Sequence, residues 1–441
     1  MFYIIESEHQ IEKLKQIIKQ DCFIEVIPSN PFYHPKLSTP LGIYIRPVEE
    51  QQGYILPIDH PDCLNLDQTT VQEIVKGFNK VYTLDSKKLL YYFNIPGVID
   101  LNLLHSMVKF EKLDINISVN IINNTNNRFG DRKDLNKLVP ITKLYEYYEY
   151  VYVNIKNTLD MEIPKGFDFY NNLGTKVFFL LEQSGLRIDY KQFNELYKPK
   201  NPLFNIKDNI VYTSFNLYNS TSRPTNSFNS VNFAALPKEE QYRKCFYPKN
   251  SRFLECDFDG YHIRLLADLF NYKLTKDSAH EQLAKTFLNK ESITQEEYQQ
   301  AKQMNFQAIY GKIPRELKKL EFFKKIQELI DSLWKDFKEK GVIYNPMSEK
   351  PYTTELKGMN PSKLMNYFVQ GLETSRNISI LKEVLKYLRS KKSEIVLFTY
   401  DSIIVDFDDS DGRQTVDELV SILEQDGKYP VKLKSSKNLV L

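Results

Sequence analysis

Two short apolar runs, far apart in the chain, each end on an aspartate. In SRFLECDFDGYHIRLLADLF (251–270), Phe253 to Phe258 reads as a strand carrying Asp257 at its end. An amphipathic helix with Ile263, Leu265, Leu266 and Leu269 follows. In SEIVLFTYDSIIVDFDD (393–409), β-branched runs flank Tyr400, Asp401 and Ser402, the pattern of a tight hairpin with one carboxylate at its tip. Each aspartate alone has an ordinary reading, as a helix cap or a polar turn. On adjacent strand ends the pair would form a clamp for two divalent ions roughly 4 Å apart, the arrangement that phosphoryl transfer uses.

Between them lies EEYQQAKQMNFQAIYGKIP (296–314), read as a helix opened by Glu296 and Glu297 and closed by Gly311 and Pro314. Lys302, Phe306 and Tyr310 recur every four residues, so successive members sit about 40° apart on one stripe. A cation followed by two aromatics on one face can hold a triphosphate and then bases. The plainer reading makes the aromatics core and lets Lys302 snorkel.

Composition bounds these readings without choosing between them. At 441 residues the chain predicts two domains, or one split domain with an appended module. A hydrophobic fraction of 42% supports large cores. No apolar run nears the roughly 18 residues of a membrane span, and the start lacks the apolar stretch of a signal peptide. Four scattered cysteines without a CxxC argue against a disulfide scaffold or a cysteine zinc site. The expectation is a soluble, reduced, cytoplasmic protein, in a host cytoplasm if phage-encoded. The net charge of +2 excludes no partner, because a basic groove can sit inside a near-neutral whole.

Taken together, the segments resemble the family A DNA polymerases, the group that includes bacterial DNA polymerase I. DFDGYHIR is similar to the family's motif A. Lys302, Asn305-Phe306 and Tyr310-Gly311 resemble motif B, and Tyr400-Asp401-Ser402 resembles motif C. Asn366, Gln370 and Gly371 resemble the Asn and Gln before a glycine that lie between B and C. STSRPTNSFNSVNFAALP resembles the Thr-Gly-Arg region, with Arg223, Asn229 and Asn232 in place. FFLLEQSGLRIDY (178–190) resembles the Glu-x-x-Gly signature. The resemblance runs in order from about 175 to 441, and the combination is far more specific than any one motif.

The resemblance implies an α/β (α+β) right-hand polymerase behind an N-terminal RNase H-like, exonuclease-type domain. The expected units are a degenerate exonuclease-like domain (1–125), connector and abbreviated thumb (126–205), palm (206–267), fingers (268–355) and palm again (356–441). It implies DNA synthesis from dNTPs on primer–template DNA, with two Mg²⁺ ions (or Mn²⁺) on Asp257, Asp401 and the Phe258 carbonyl. Lys302 would be catalytic. His262, His280, Lys302, Phe306 and Tyr310 would bind the nucleotide. Arg223, Asn229, Asn232, Asn366, Gln370 and Tyr400 would touch DNA, and a processivity or replisome accessory protein is a further expected partner.

Departures from the pattern matter. Ser402 stands where the family's DNA polymerases carry Glu, His262 stands where a Glu screens the sugar 2′ position, and Tyr298 replaces an Arg. Ser402 and His262 keep open an RNA-making or ribonucleotide-tolerant enzyme, which Phe306 opposes. A non-catalytic DNA-binding homologue is the other alternative, opposed by the joint retention of Asp257, Lys302 and Asp401. In the N-terminal half, only Glu25 remains of the expected Asp-x-Glu pair, and Lys87 occupies an expected metal position. Asp100 and Glu149 are the remaining acids, and the expectation is a scaffold without proofreading. The thumb is expected to be short, because only the residues from Tyr190 to Asn209 separate the Glu-x-x-Gly signature from the next β segment.

Overall fold

The computed structural model describes residues 4–16, 20–115, 135–197, 206–226, 231–310 and 313–441. Residues 126–134 and 198–205 of the expected connector and thumb, together with Asn229 and Gly311, lie outside the described residues.

The N-terminal unit is built on a five-stranded sheet, in the order Tyr54–Pro57, Pro40–Pro47, Cys22–Pro28, Val81–Thr83, Val98–Asp100. The first three strands are antiparallel and the last two pairings parallel. Cys22–Pro28 is buried along its whole length, as its near-continuous apolar run requires. The tyrosine-rich helix Ile141–Leu159 lies against this sheet rather than forming part of a connector. Its Tyr148 hydroxyl donates to the Val26 carbonyl, and Glu149 accepts from Arg46, Tyr44 and the Gly53 amide.

The helical segment that precedes the Glu-x-x-Gly signature begins irregularly. Phe169–Gly174 is π-helical and Thr175–Leu181 is α-helical. At its C-cap, Glu182 is buried, and its carboxylate accepts from Lys87 and from the Phe215 amide.

The C-terminal half is organised by a four-stranded antiparallel sheet in the order Glu394–Phe398, Ser402–Phe407, Arg252–Phe258, Val431–Ser436. The first two form the expected hairpin. Tyr400 at its tip has φ 64°, and Thr399 N–H donates to the Ser402 carbonyl at 2.9 Å. The helix Pro361–Leu388 crosses behind this sheet, where 16 of its residues are buried. A second apolar cluster joins Ile263, Leu266 and Leu283 to Ile309, Phe322, Ile326 and Val369, fixing the helical layer above the sheet edge.

Candidate active site

In the register of the central sheet, Asp257 pairs with Ser402, so Asp257 and Asp401 end neighbouring strands. The Phe258 amide donates to the Asp401 carbonyl at 2.9 Å, which ties the hairpin tip to the strand end. From the other side, Asn377 donates to the Tyr400 carbonyl at 2.8 Å and accepts from the Tyr261 hydroxyl at 2.6 Å. Two aspartates 144 residues apart are thus held by backbone and by one buried asparagine.

Both carboxylates line a cavity of about 230 Å³, together with Lys302, Phe306 and Tyr310. Among the described residues, no side chain donates to either one. Desolvation, the neighbouring Asp401 and Glu255 push Asp257 up to about 6. Asp401 is also raised, by desolvation first and by the negative charge of Glu373, although the residue is exposed at the hairpin tip. Two unneutralised acids facing one cavity suit a cation, which would relieve that repulsion. Among the described residues no group of three or more His, Cys, Asp or Glu gathers as a ligand set. Further ligands would therefore have to be backbone, water or substrate oxygens, as Mg²⁺ commonly accepts.

The stripe predicted on 296–314 exists, on a helix spanning Gln295–Tyr310. Phe306 is 42% exposed at the cavity, which removes the core reading for it. Its ring stacks on Tyr310 with centroids 6.2 Å apart and planes 13° apart. His280 is the second residue of the helix Ala279–Leu288, whose cap is Ser278. Its Nδ1 contacts the Asn305 amide at 3.2 Å, and its ring lies 5.3 Å from Phe306. Burial and the Lys302 ammonium push His280 down to about 4, so it is neutral at physiological pH.

His262 sits between two groups from different elements. Its Nδ1 bonds the Tyr310 hydroxyl, and its Nε2 lies 3.1 Å from Glu373. Glu373, on the long helix, is buried and also pairs with Arg223 at 2.8 Å. Arg223 in turn covers the Tyr400 ring, 3.7 Å from its centroid. Burial alone would raise Glu373, but His262 and Arg223 outweigh it and hold the carboxyl below its ordinary value.

Of the sequence-predicted residues, Asp257, Phe258, Asp401, Lys302, Phe306, Tyr310, His262, His280 and Arg223 meet at this cavity. Tyr400 adjoins it through Arg223. Asn366 and Gln370 do not line it; they hydrogen-bond each other at 3.0 Å, about one turn before Glu373 on the same helix. Asn232 is exposed beside the short Phe233–Ala235 turn, away from the cavity.

Sequence reasoning missed Glu373, Lys432 and the Asp259–Arg264 pair. Lys432 pairs with Asp259 at 2.6 Å on the cavity wall. Arg264 is buried, reaching Asp259 and the Asp277 carbonyl, so it braces the loop that leads to His280. Glu373 carried a readable signal, since an acid stood among Leu372, Ile378 and Leu381 on a helix meant for the interior.

No curated protein matches the chain significantly. Among solved structures, the POL domain of Pol1 from M. smegmatis, in complex with DNA primer-template and dNTP, is similar in fold. The TM-score is 0.70 and the identity 11%, with 99% of each chain covered. The description "DNA polymerase family A" fits residues 185–439, more than half of the sequence and the part that holds every residue of the cavity. The chain belongs to DNA polymerase family A.

Proposed function

We propose that the cavity performs template-directed nucleotidyl transfer from dNTPs to a primer 3′-OH. The observation that carries this reading is the convergence of Asp257, Asp401 and the Lys302–Phe306–Tyr310 stripe on one cavity from three separate chain segments. In the reaction the 3′ oxygen bonds the α-phosphorus, the bond from that phosphorus to the bridging oxygen breaks, and pyrophosphate leaves. The 3′-OH proton passes to solvent. Asp257, Asp401 and the Phe258 carbonyl would hold two Mg²⁺ ions, with Mn²⁺ a substitute. The ions' chemistry is to lower the 3′-OH pKa and neutralise the triphosphate.

Lys302 binds the triphosphate and can protonate the departing pyrophosphate. Phe306, stacked on Tyr310, offers an exposed face to the incoming base or sugar. Neutral His280 can donate to a phosphate oxygen or accept from the sugar. Arg223, Tyr400, Asn366, Gln370, Asn229 and Asn232 are assigned to the primer–template. The palm corresponds to 206–267 and 356–441, and the fingers to 268–355.

The N-terminal unit is read as a scaffold without proofreading. Lys87 is buried in an ion pair with Glu182 at 2.5 Å. Asp100 accepts from the Ser86 amide and hydroxyl, the Leu103 amide and the Tyr218 hydroxyl. Neither is available as a metal ligand.

Primer extension compared with dNTPs and with rNTPs tests the whole reading. Extension with dNTPs, lost in Asp401→Ala while DNA binding persists, is expected. Equal use of rNTPs would favour the ribonucleotide-tolerant alternative, for which His262, on the cavity wall, is the relevant residue. Unimpaired extension by Asp401→Ala would overturn the site.

A further inference from the structure

A second groove, of about 950 Å³, lies between the Thr175–Leu181 helix and the C-terminal end of the long helix Pro361–Leu388. It shares no lining residue with the catalytic cavity. Leu388 lies 15 residues beyond Glu373 on the long helix, about 22 Å along its axis. Ile395, on the groove floor, is the second residue of the strand Glu394–Phe398, whose far end leads to Asp401. The groove therefore sits at the opposite end of the sheet from the chemistry.

Its floor is apolar. Val177, Leu388 and Ile395 are buried, Leu385 is half-buried, and Leu180 is 41% exposed. Its rim is cationic, with Lys176, Lys386, Arg389 and Lys392. Among the described residues, Lys176, Lys386 and Arg389 have no acidic partner, while Lys392 faces Asp408. The rim's acid, Glu394, is already engaged by Lys249 and by the Ser184 hydroxyl at 2.6 Å. An apolar floor ringed by cations, most of them unpaired, is an uncommon combination on a soluble surface, and it specifies both halves of its complement.

We propose that this groove docks an acidic amphipathic helix from another protein, leucine-type side chains on the floor and carboxylates against the rim. Two packed helices leave a trough whose width suits a third, the helix-in-groove mode. A nucleic-acid duplex matches the cations but offers no apolar face for Leu180 and its neighbours. A second copy of this chain meeting the groove through the same face would set rim against rim, cation on cation. A partner bound here leaves the catalytic cavity open and is placed to tether the enzyme rather than to block it.

The test uses a fluorescein-labelled helical peptide about 14–18 residues long, with leucines at i, i+3, i+4 and i+7 and glutamates between them. Binding is read by fluorescence anisotropy against the full chain. Saturable binding is expected, weakened at least about tenfold by Leu180→Glu and, independently, by the surface double variant Lys386→Glu, Arg389→Glu. Primer extension by both variants should equal that of the wild type, because none of these residues lies at the catalytic cavity. No saturable binding would overturn the proposal. So would equal affinity for a scrambled peptide of the same composition, or insensitivity to both variants. Displacement of the peptide by duplex DNA, with loss of duplex binding in the double variant, would reassign the groove to nucleic acid.

Discussion

The molecule holds two sets of acids on sheet ends, and they are treated in opposite ways. At the central sheet, Asp257 and Asp401 face an open cavity and, among the described residues, accept from no side chain; burial raises both, helped by Asp401 and Glu255 at Asp257 and by Glu373 at Asp401. At the N-terminal sheet, Glu25 accepts from the Thr83 hydroxyl and the Leu84 amide, and Asp100 takes four donors. Lys87 and Glu182 neutralise each other between the two halves of the chain. Burial raises the N-terminal acids too, but Asp100 already has four protein donors and Glu25 has two on one oxygen, whereas, among the described residues, no side chain donates to Asp257 or Asp401. The N-terminal set is bound into the fold, and the central pair is kept ready for a ligand.

Removing one acid from each set should separate these roles most sharply. Asp257→Ala and Asp401→Ala should each lower primer extension by about 10³-fold or more, since each deletes an anion that the transition state needs. Thermal stability should stay level or rise, because the repulsion that raises the pair disappears. Steady-state extension and a melting curve on the same samples check both halves. A loss of stability alongside activity would erase the contrast.

At the N-terminal sheet the order should reverse. Lys87→Ala strands the Glu182 carboxylate in the interior, and stability should fall by about 3–5 kcal/mol in urea titration. No nuclease activity should appear or vanish. A mismatched, end-labelled primer incubated with Mg²⁺ or Mn²⁺ and no nucleotide should stay full length, with wild-type protein and with Asp100→Ala alike. Metal-dependent shortening from the 3′ end, abolished by Asp100→Ala, would make the two sets equivalent and break the comparison.

The readable part of this molecule was the part written in local pattern. Strand-end aspartates, the four-residue stripe of Lys302, Phe306 and Tyr310, and the hairpin around Asp401 each follow from spacing within a few residues. What escaped was pairing over long separations. Nothing near Glu373 in sequence shows that it meets Arg223, 150 positions earlier, and His262. The Lys87–Glu182 pair was likewise not legible, because its members stand 95 positions apart on different elements. The packing of the Ile141–Leu159 helix on the N-terminal sheet was not legible, since periodicity reveals an apolar face and not the surface that covers it. Asn366 and Gln370 show the converse, as motif members that bond each other and stay off the cavity in this structure.

Glu373 is the carboxylate that blurs the contrast, because it borders the cavity yet is saturated like the N-terminal acids. If it positions rather than reacts, Glu373→Gln should keep the fold, release Arg223 and His262 from their shared anion, and lower extension about tenfold. The loss should be larger in the KM for dNTP than in melting temperature, because Arg223 covers the hairpin tyrosine and His262 holds Tyr310 of the nucleotide stripe. An effect as large as that of Asp401→Ala would place Glu373 among the metal-holding acids instead.

The smallest effect is expected at Ser402, and it sharpens where the reactive set ends. Ser402 is directly opposite Asp257 across the strand pair, so both side chains leave the same face of the sheet. Its hydroxyl, however, donates to Glu255 at 3.2 Å, and Glu255 is held from its other side by Lys434 at 3.5 Å. The serine is therefore committed to a neighbour two residues behind the reactive aspartate. Ser402→Ala deletes one neutral-to-charged hydrogen bond at a buried position, which should cost about 1–2 kcal/mol of stability. Glu255 would still keep its lysine, so the field at Asp257 should change little. Extension should remain within about threefold of wild type, as measured by single-turnover incorporation. A loss near a hundredfold would mean that the hydroxyl faces the cation in the working complex. The open set would then be three groups rather than two.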